Sequence, residues 1–283
     1  TASDPKSKMY AFEAGKRAIA DHLKRVGLAA TVEMGPHLGF YKVTYDIIDK
    51  PLISIIIPNK DHIGDLEICM NSIDIKSDYH NYEYIIIENN STEEETFAYY
   101  KDIETRENVH VVTWEKEFNY SAINNFGVQF AKGDYLLFLN NDTEMINDEC
   151  ISQLLGYCQR EDVGIVGARL YFSDDSIQHA GVIVGMGGIA GHAFIALNEC
   201  DNLFQSRTKV ACDYSAVTAA CLMTKRSLFE QVGGFEESLQ VAFNDIDFCM
   251  KIRAIDKLVV YNPYAMLYHY ESKSRGAENT PEK

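Results

Sequence analysis

Four short, largely apolar runs constrain this chain more than any other feature, because helical patterns fall between them and three of them end in polar clusters. They are Leu52-Ile53-Ser54-Ile55-Ile56-Ile57 after Pro51, Tyr84-Ile85-Ile86-Ile87, Val109 to Thr113, and Tyr135 to Leu139. They are too short for helices and too apolar for strands with one wet face, which suits a parallel sheet buried on both faces. Helical patterns fall between them at about Ile63–Ile73, Glu93–Tyr100 and Tyr120–Phe130. Alternating strands and helices predict an α/β domain with a mostly parallel, doubly wound sheet and helices on both faces. The second half is more mixed. It predicts strands near Val163–Gly167, Gly181–Val184 and Ala219–Thr224, and helices near Ile151–Gln159, Arg226–Val232 and Asp245–Ala254.

Residues 1–50 read as an appended element. Phe12, Ile19, Leu23 and Val26 recur at helical spacing from Tyr10 to about Val26; Gly15 interrupts the pattern and Gly27 stops it. Ala30–Glu33 and Tyr41–Tyr45, joined through Gly35-Pro36 and Gly39, read as a hairpin. The expected organisation is this helix and hairpin over 1–50, a catalytic domain over 51–275, and a polar tail over 276–283.

Hydrophobic residues make up 46% of the 283, enough for a large core. Acidic residues outnumber basic ones, 42 to 26, and the net charge of −16 argues against a nucleic-acid partner. No polybasic patch suits anionic lipid. A phosphorylated ligand on such a surface needs local cations or a metal. The seven cysteines are odd in number and show no CxxC spacing, which suits reduced thiols in a cytoplasmic protein. No apolar run approaches the roughly 20 residues of a membrane span, and no signal peptide is visible. The chain opens at Thr1 rather than Met, as expected of a segment of a longer, multidomain protein.

In open α/β sheets, ligands bind beyond the carboxyl ends of the strands. Three such ends carry polar clusters: Pro58-Asn59-Lys60-Asp61, Glu88-Asn89-Asn90-Ser91-Thr92, and Asn140-Asn141-Asp142-Thr143-Glu144. Neither GxGxxG nor GxxxxGK[ST] is present, so the dinucleotide fingerprint and the P-loop are both excluded.

Four ordered stretches resemble the family 2 glycosyltransferases of GT-A fold, over about residues 51–275. They are "ISIIIPN", "IIIENNS", "NNFGVQFAKGDYLLFLNND" and "GGFEESLQVAFNDIDFCMKIR". "IQHAG" and "YHYESKSRG" resemble the branch that builds bacterial surface polysaccharides, including rhamnose-rich ones. The resemblance implies an inverting transfer from a nucleoside-diphosphate sugar, UDP- or dTDP-linked, to a saccharide or lipid-linked acceptor. It also implies a place in the cytoplasm, at the inner face of the cell membrane.

Carried onto this sequence, the family's metal motif keeps its last carboxylate as Asp142, while Asn140 replaces the first. Asp142 then binds Mn²⁺ or Mg²⁺, hard cations that take oxygen ligands, and His269 completes the site. A turn after the strand is the bland reading of the same residues. Glu88 matches the acidic position that accepts from the nucleobase imide; Asn89 replaces a second acidic residue. Pro58, Asn59, Asp61, Asn125 and Asn141 are expected to line the donor pocket, and Lys273 and Arg275 to fold over the diphosphate. The alternative for the second strand end is a loop whose Asn, Ser and Thr satisfy backbone groups.

Asp245 matches the catalytic base, with a helix N-cap as its structural alternative. Asp247, two residues on, points about 200° away on a helix, so only one of the two faces the cleft. His179 and His192, flanked by glycines, are expected on the acceptor side with Asp247. Two other functions share the sheet and a phosphate site. A nucleotidyltransferase is disfavoured because "IPNKDHIGD" lacks a basic Gly-rich loop. An inactive sugar-nucleotide-binding domain is disfavoured by the joint retention of Asp142, Asp245 and His269.

Overall fold

A computed structural model of the protein describes residues 8–198 and 205–270. Helix α1 (Met9–Arg25) leads into a hairpin of β1 (Ala30–Met34) and β2 (Tyr41–Tyr45) that pairs only with itself. Packing explains Gly15: a side chain there would collide with the Tyr41 hydroxyl, which donates to the Phe12 carbonyl at 2.9 Å.

The alternating half follows as β3 (Ile53–Asn59), α2 (Ile63–Lys76), β4 (Tyr82–Glu88), α3 (Glu94–Ile103), β5 (Val109–Thr113), α4 (Tyr120–Val128) and β6 (Tyr135–Leu139). The mixed half comprises β7 (Thr143–Met145), α5 (Cys150–Cys158), β8 (Val163–Tyr171), β9 (Ile177–His179), β10 (Val182–Val184), β11 (Ala190–His192), β12 (Cys212–Asp213), β13 (Cys221–Lys225), α6 (Arg226–Gln231), α7 (Asn244–Ala254) and β14 (Leu258–His269). The expected strand over Gly181–Val184 starts late. Gly181 adopts φ of 101°, a left-handed turn that separates β9 from β10.

The main sheet runs β12-β14-β8-β13-β6-β3-β4-β5, with β7 added to β14 and β9 to β8. Along that path only β12 and β13 run against the rest. The apolar runs behave as their composition requires. In β3, Ile53, Ile55 and Ile57 enter one core with α2, α3 and α5. Ile56 enters the other, with α4, α6 and α7. Each fully buried aliphatic side chain contributes about 1.5–3 kcal/mol, so the central strands hold the two helical layers together.

The hairpin is seated on α5. The Tyr157 hydroxyl donates to the Val43 carbonyl at 3.1 Å, and the Gln153 amide to the Thr44 hydroxyl at 3.2 Å. Gly156 leaves room for the Tyr45 carbonyl.

Two features of the mixed half position the site. Strand β13 inserts antiparallel between β6 and β8, pairing Cys221 with Leu139. This carries Ala220 to the end of β6, where its carbonyl accepts from the Asn140 amide at 3.1 Å. Strand β14 runs parallel to β8, then turns its last residues to β7, pairing His269 with Thr143. Its register shifts between Asn262 and Met266, around Pro263, which has no amide hydrogen for a ladder. Among the described residues, no helix is long and apolar enough to cross a membrane.

Candidate active site

The three polar clusters do meet at the carboxyl ends of the central strands. Asn59 ends β3 beside Glu88, its register partner at the end of β4. The Asn59 carbonyl oxygen accepts from the Asn141 amide at 2.6 Å. Its own amide donates to the Asp61 backbone carbonyl at 2.9 Å and the Tyr100 hydroxyl at 2.7 Å. A single hydrogen-bonded belt thus spans the ends of β3 and β6 and the helix α3. Pro58 lies beyond the last β3–β6 pair, Ile56 with Phe138, so its missing N–H leaves no ladder bond unmade on that side.

Within this belt the carboxylates are held by backbone groups. Both oxygens of buried Glu88 are engaged by Ser91: its amide donates to Oε1 at 2.7 Å and its hydroxyl to Oε2 at 2.5 Å. The Tyr100 hydroxyl bonds the same carboxylate, which leaves one lone pair of its two oxygens for a ligand. Asp61 adopts φ of 50° and accepts from the Thr92 and Glu93 amides at 2.9 and 3.0 Å, capping the start of α3. Desolvation pushes its pKa up, but these backbone bonds outweigh it and the net shift is downward. Buried Asn89 donates to the carbonyls of Trp114 and Lys116 at 3.1 and 3.0 Å, closing the edge beside β5. Trp114 is partly buried against Phe126, with the Lys116 ammonium over its ring.

A second group lies where β6 hands over to β7. His269 Nε2 is 3.3 Å from Asp142 Oδ1 and 3.1 Å from Asn140 Nδ2. Its Nδ1 is 2.7 Å from Gln178 Oε1, while Gln178 Nε2 donates to the His269 carbonyl at 3.2 Å. That second bond fixes the amide: a backbone carbonyl only accepts, so Nε2 faces it and Oε1 faces the ring. Nδ1 therefore carries the hydrogen, and in the neutral ring the Nε2 lone pair accepts from the Asn140 amide at 3.1 Å, with Asp142 Oδ1 beside it at 3.3 Å. Gln178 was not singled out from the sequence, although "IQHAG" contains it. Its signal is its place in β9, antiparallel to the end of β8.

The third group is at the start of α7. Asn244 opens the helix and the cap position falls on Phe243 at φ of 63°, without a side-chain cap bond. Asp245 is thus in the first turn rather than at the cap. It is partly buried, and its carboxylate accepts from the Ala219 amide at 3.3 Å and the Ile246 amide at 2.8 Å. Burial raises its pKa above the ordinary carboxylate value, against the lowering effects of those bonds, His192 and Thr218. His192 Nδ1 lies 3.0 Å from His179 Nδ1. His179 is fully buried. Burial, then His192 and His269, drive its pKa well down, which keeps the ring neutral.

Two expected site residues have other work. Asn125 donates to the Phe235 carbonyl at 2.9 Å and accepts from the Phe235 amide at 3.0 Å. Its amide thereby pins the 233–237 loop to α4. Asp247 pairs with Lys251 at 2.9 Å one turn along α7, away from the Ala219 side that Asp245 faces. Lys273 and Arg275 lie outside the described residues.

With this geometry in view, the comparison with known proteins is decisive for the family. Residues 54–233 match the model of "Glycosyl transferase family 2". The chain belongs to glycosyl transferase family 2. It is a glycosyltransferase domain, and the nucleotidyltransferase reading is set aside. It is 43% identical over 285 residues to the uncharacterized protein y4gI of Sinorhizobium fredii, covering 100% of this chain and 31% of that protein. It is 39% identical over 275 residues to the O-antigen biosynthesis protein RfbC of Myxococcus xanthus, covering 96% of this chain and 21% of that protein. The chain thus spans less than a third of each of these relatives.

Among solved structures, the mannosyltransferase PcManGT of Pyrobaculum calidifontis, in complex with GDP-Man and Mn²⁺, matches with a TM-score of 0.59 at 15% identity. The match covers 80% of this chain and 58% of that one. GalNAc-T7 with UDP, GalNAc and Mn²⁺ matches at 0.65 and 15%, covering 82% and 45%. The fold of this glycosyltransferase is therefore GT-A, with a mostly parallel central sheet.

The donor set at Asp142 and His269 suits a divalent cation: one carboxylate, one imidazole with its proton directed away, and the Asn140 amide beside them. Among the described residues, no cluster of three or more His, Cys, Asp or Glu is placed to hold a metal. Any cation there would need further oxygens from a ligand.

Proposed function

We propose that this glycosyltransferase domain moves a sugar from a UDP- or dTDP-sugar to a saccharide or lipid-linked acceptor, with inversion, in bacterial surface polysaccharide synthesis. The observation that carries the reading is the arrangement of Asp142–His269 and Asp245. They are linked through the chain at the start of β13: the Asn140 amide donates to the Ala220 carbonyl, and the neighbouring Ala219 amide donates to Asp245. The donor base sits over the Asn59–Glu88–Asn89 end of the belt, where Glu88 has one lone pair left for an imide N–H. Asp142 and His269 would hold a Mn²⁺ or Mg²⁺ ion, and such an ion would supply positive charge to the departing diphosphate.

The transfer is a single displacement. Asp245 accepts the proton of the acceptor hydroxyl, and the oxygen forms its bond to the anomeric carbon from the face opposite the diphosphate. The diphosphate leaves with the old bonding pair. The raised pKa of Asp245 strengthens it as a base, since proton affinity near the working pH favours general-base catalysis. The kinship with RfbC supports the polysaccharide setting. Mn²⁺ beside GDP-Man in one structural neighbour, and beside UDP and GalNAc in the other, supports the metal.

The deciding experiment screens UDP-, dTDP- and GDP-sugars for hydrolysis and thermal stabilisation, with Mn²⁺ and with EDTA. Metal-dependent stabilisation and turnover of a pyrimidine donor is expected. Full turnover in excess EDTA rejects the metal role, and a preference for GDP rejects the donor pocket.

A further inference from the structure

Successive residues of a strand point to opposite faces, and the end of β14 uses both. Leu267 enters the first core while Met266 and Tyr268 pack with the second. His269 therefore faces Asp142, and Tyr268 turns to the other side. There an open cleft of about 430 Å³ is lined by Ile146, Tyr171, Asp175, Asn198, Met266 and Tyr268.

The cleft is built rather than incidental. Tyr171 and Tyr268 are register partners on β8 and β14, with ring centroids 6.3 Å apart and planes inclined by 55°. The Tyr268 hydroxyl donates to Asp175 Oδ1 at 2.5 Å, so the ring is held from its far end. Tyr270 stacks on it at 5.9 Å and is itself held by Glu144 at 2.7 Å. Asn198 reaches the rim on a strap along β9: the Ala196 amide donates to the Ile177 carbonyl at 2.8 Å, and the Ile177 amide to the Leu197 carbonyl at 3.0 Å. That strap begins at His192, whose Nδ1 lies 3.0 Å from His179 in the group beside Asp245. The six steps from His192 to Asn198 span at most about 22 Å, a reach of a few sugar units.

The lining selects a ligand class. Aromatic faces and apolar floor residues match the C–H faces of a pyranose, and a carboxylate, an amide and two phenols match its hydroxyls. No cation lines the cleft among the described residues, and Asp175 repels anions, which disfavours a diphosphate or an acidic sugar. The polar rim disfavours a lipid tail.

We propose that this cleft is an acceptor subsite that holds a neutral sugar unit of the growing glycan, remote from the hydroxyl that reacts. The proposal rests on the transfer reading above. Its test needs neither donor nor turnover, so the two fail separately. The domain is applied to an array of bacterial surface oligosaccharides, neutral and acidic, of graded length. Capture of neutral glycans of three or more units over single sugars is expected. Asp175→Ala and Asn198→Ala, both at exposed positions, are expected to lower that capture at least ten-fold while melting as the wild type does. Tyr268→Phe, which keeps the ring but not the bond to Asp175, is expected to fall between. No capture by the wild type, capture of acidic glycans alone, or undiminished capture by both alanine variants overturns the proposal.

Discussion

His269 Nε2 stands 3.3 Å from Asp142 Oδ1 because β14 turns at its end to pair with β7 and sets His269 opposite Thr143. The ring's other nitrogen is bonded to Gln178, which decides the tautomer and so decides what Asp142 faces.

Gln178 is therefore a positioning residue, and its replacement is expected to act through the metal. Gln178→Leu removes the acceptor for Nδ1–H and should weaken the apparent affinity for Mn²⁺ by about 10- to 100-fold. Gln178→Glu keeps an acceptor in place and should retain most of it. Mn²⁺ titrations of donor binding decide this. Superimposable curves for wild type and Gln178→Leu would remove the positioning role, whereas Asp142→Ala should abolish the Mn²⁺ effect altogether.

Asp245 should show opposite effects on stability and transfer. Its pKa is raised by burial, so the folded protein holds this proton more tightly than the unfolded chain does. Its contribution to stability is complete below the unfolded pKa, near 3.9, and is lost as pH rises through the folded one. At neutral pH the ionised carboxylate is a burden on the fold. Asp245→Asn should raise the melting temperature at pH 7, with the gain shrinking as acid protonates the wild type. The same change should cut transfer by about 10²-fold or more. A variant that transfers at the wild-type rate leaves Asp245 a structural residue and makes Asp247 the next candidate.

The wild-type rate should itself fall with acid, because protonation removes the base. The fall should begin at a higher pH than an ordinary aspartate dictates, since burial moves this carboxyl upward. A pH–rate profile under saturating donor measures it. A profile flat down to the unperturbed aspartate range contradicts the assignment.

For the donor, UDP or dTDP should stabilise the domain more than GDP does. A ligand at a hundred times its Kd adds about 2.7 kcal/mol to the native state, readily seen in a melt. Glu88→Gln should narrow the difference between the bases, because an amide accepts an imide hydrogen less strongly than a carboxylate does. Equal shifts from all bases, unchanged in the variant, would detach Glu88 from base recognition.

Two glycines separate packing from propensity. A Cβ at Gly133 would lie 2.6 Å from the Leu52 carbonyl and 2.8 Å from the Ser54 nitrogen, both backbone atoms. Gly133→Ala should destabilise by about 1–3 kcal/mol through overpacking. Gly64, in the first turn of α2, meets nothing within 4 Å and has no left-handed φ. Gly64→Ala should stabilise by about 0.4–1 kcal/mol by restricting the unfolded chain. Chemical denaturation of the two variants measures both signs.

Several site residues were legible because their role is local. Asn59, Glu88 and Asp142 stand at or next to strand ends, where an α/β sheet must place its ligands, and the apolar runs before them mark those ends. Other residues were not legible, because their role depends on partners distant in sequence. Asn125 lies in the stretch that leads to the metal motif, yet its amide is bonded to Phe235. Strand β14 was not among the predicted strands; it carries Pro263 within it, and the register shift there absorbs the proline.

By itself, the sequence determined the layered α/β architecture and the order of its first four main-sheet strands. Strands buried on both faces must be apolar throughout, and helices between them must show one apolar stripe, so composition and period suffice. Only the tertiary structure decided that β13 would run backwards, that His269 would face Asp142 with its proton turned to Gln178, and that Asp245 rather than Asp247 would meet Ala219. Those outcomes depend on register between segments far apart in the chain, where a shift of one residue turns every side chain to the opposite face, and no local pattern specifies that register.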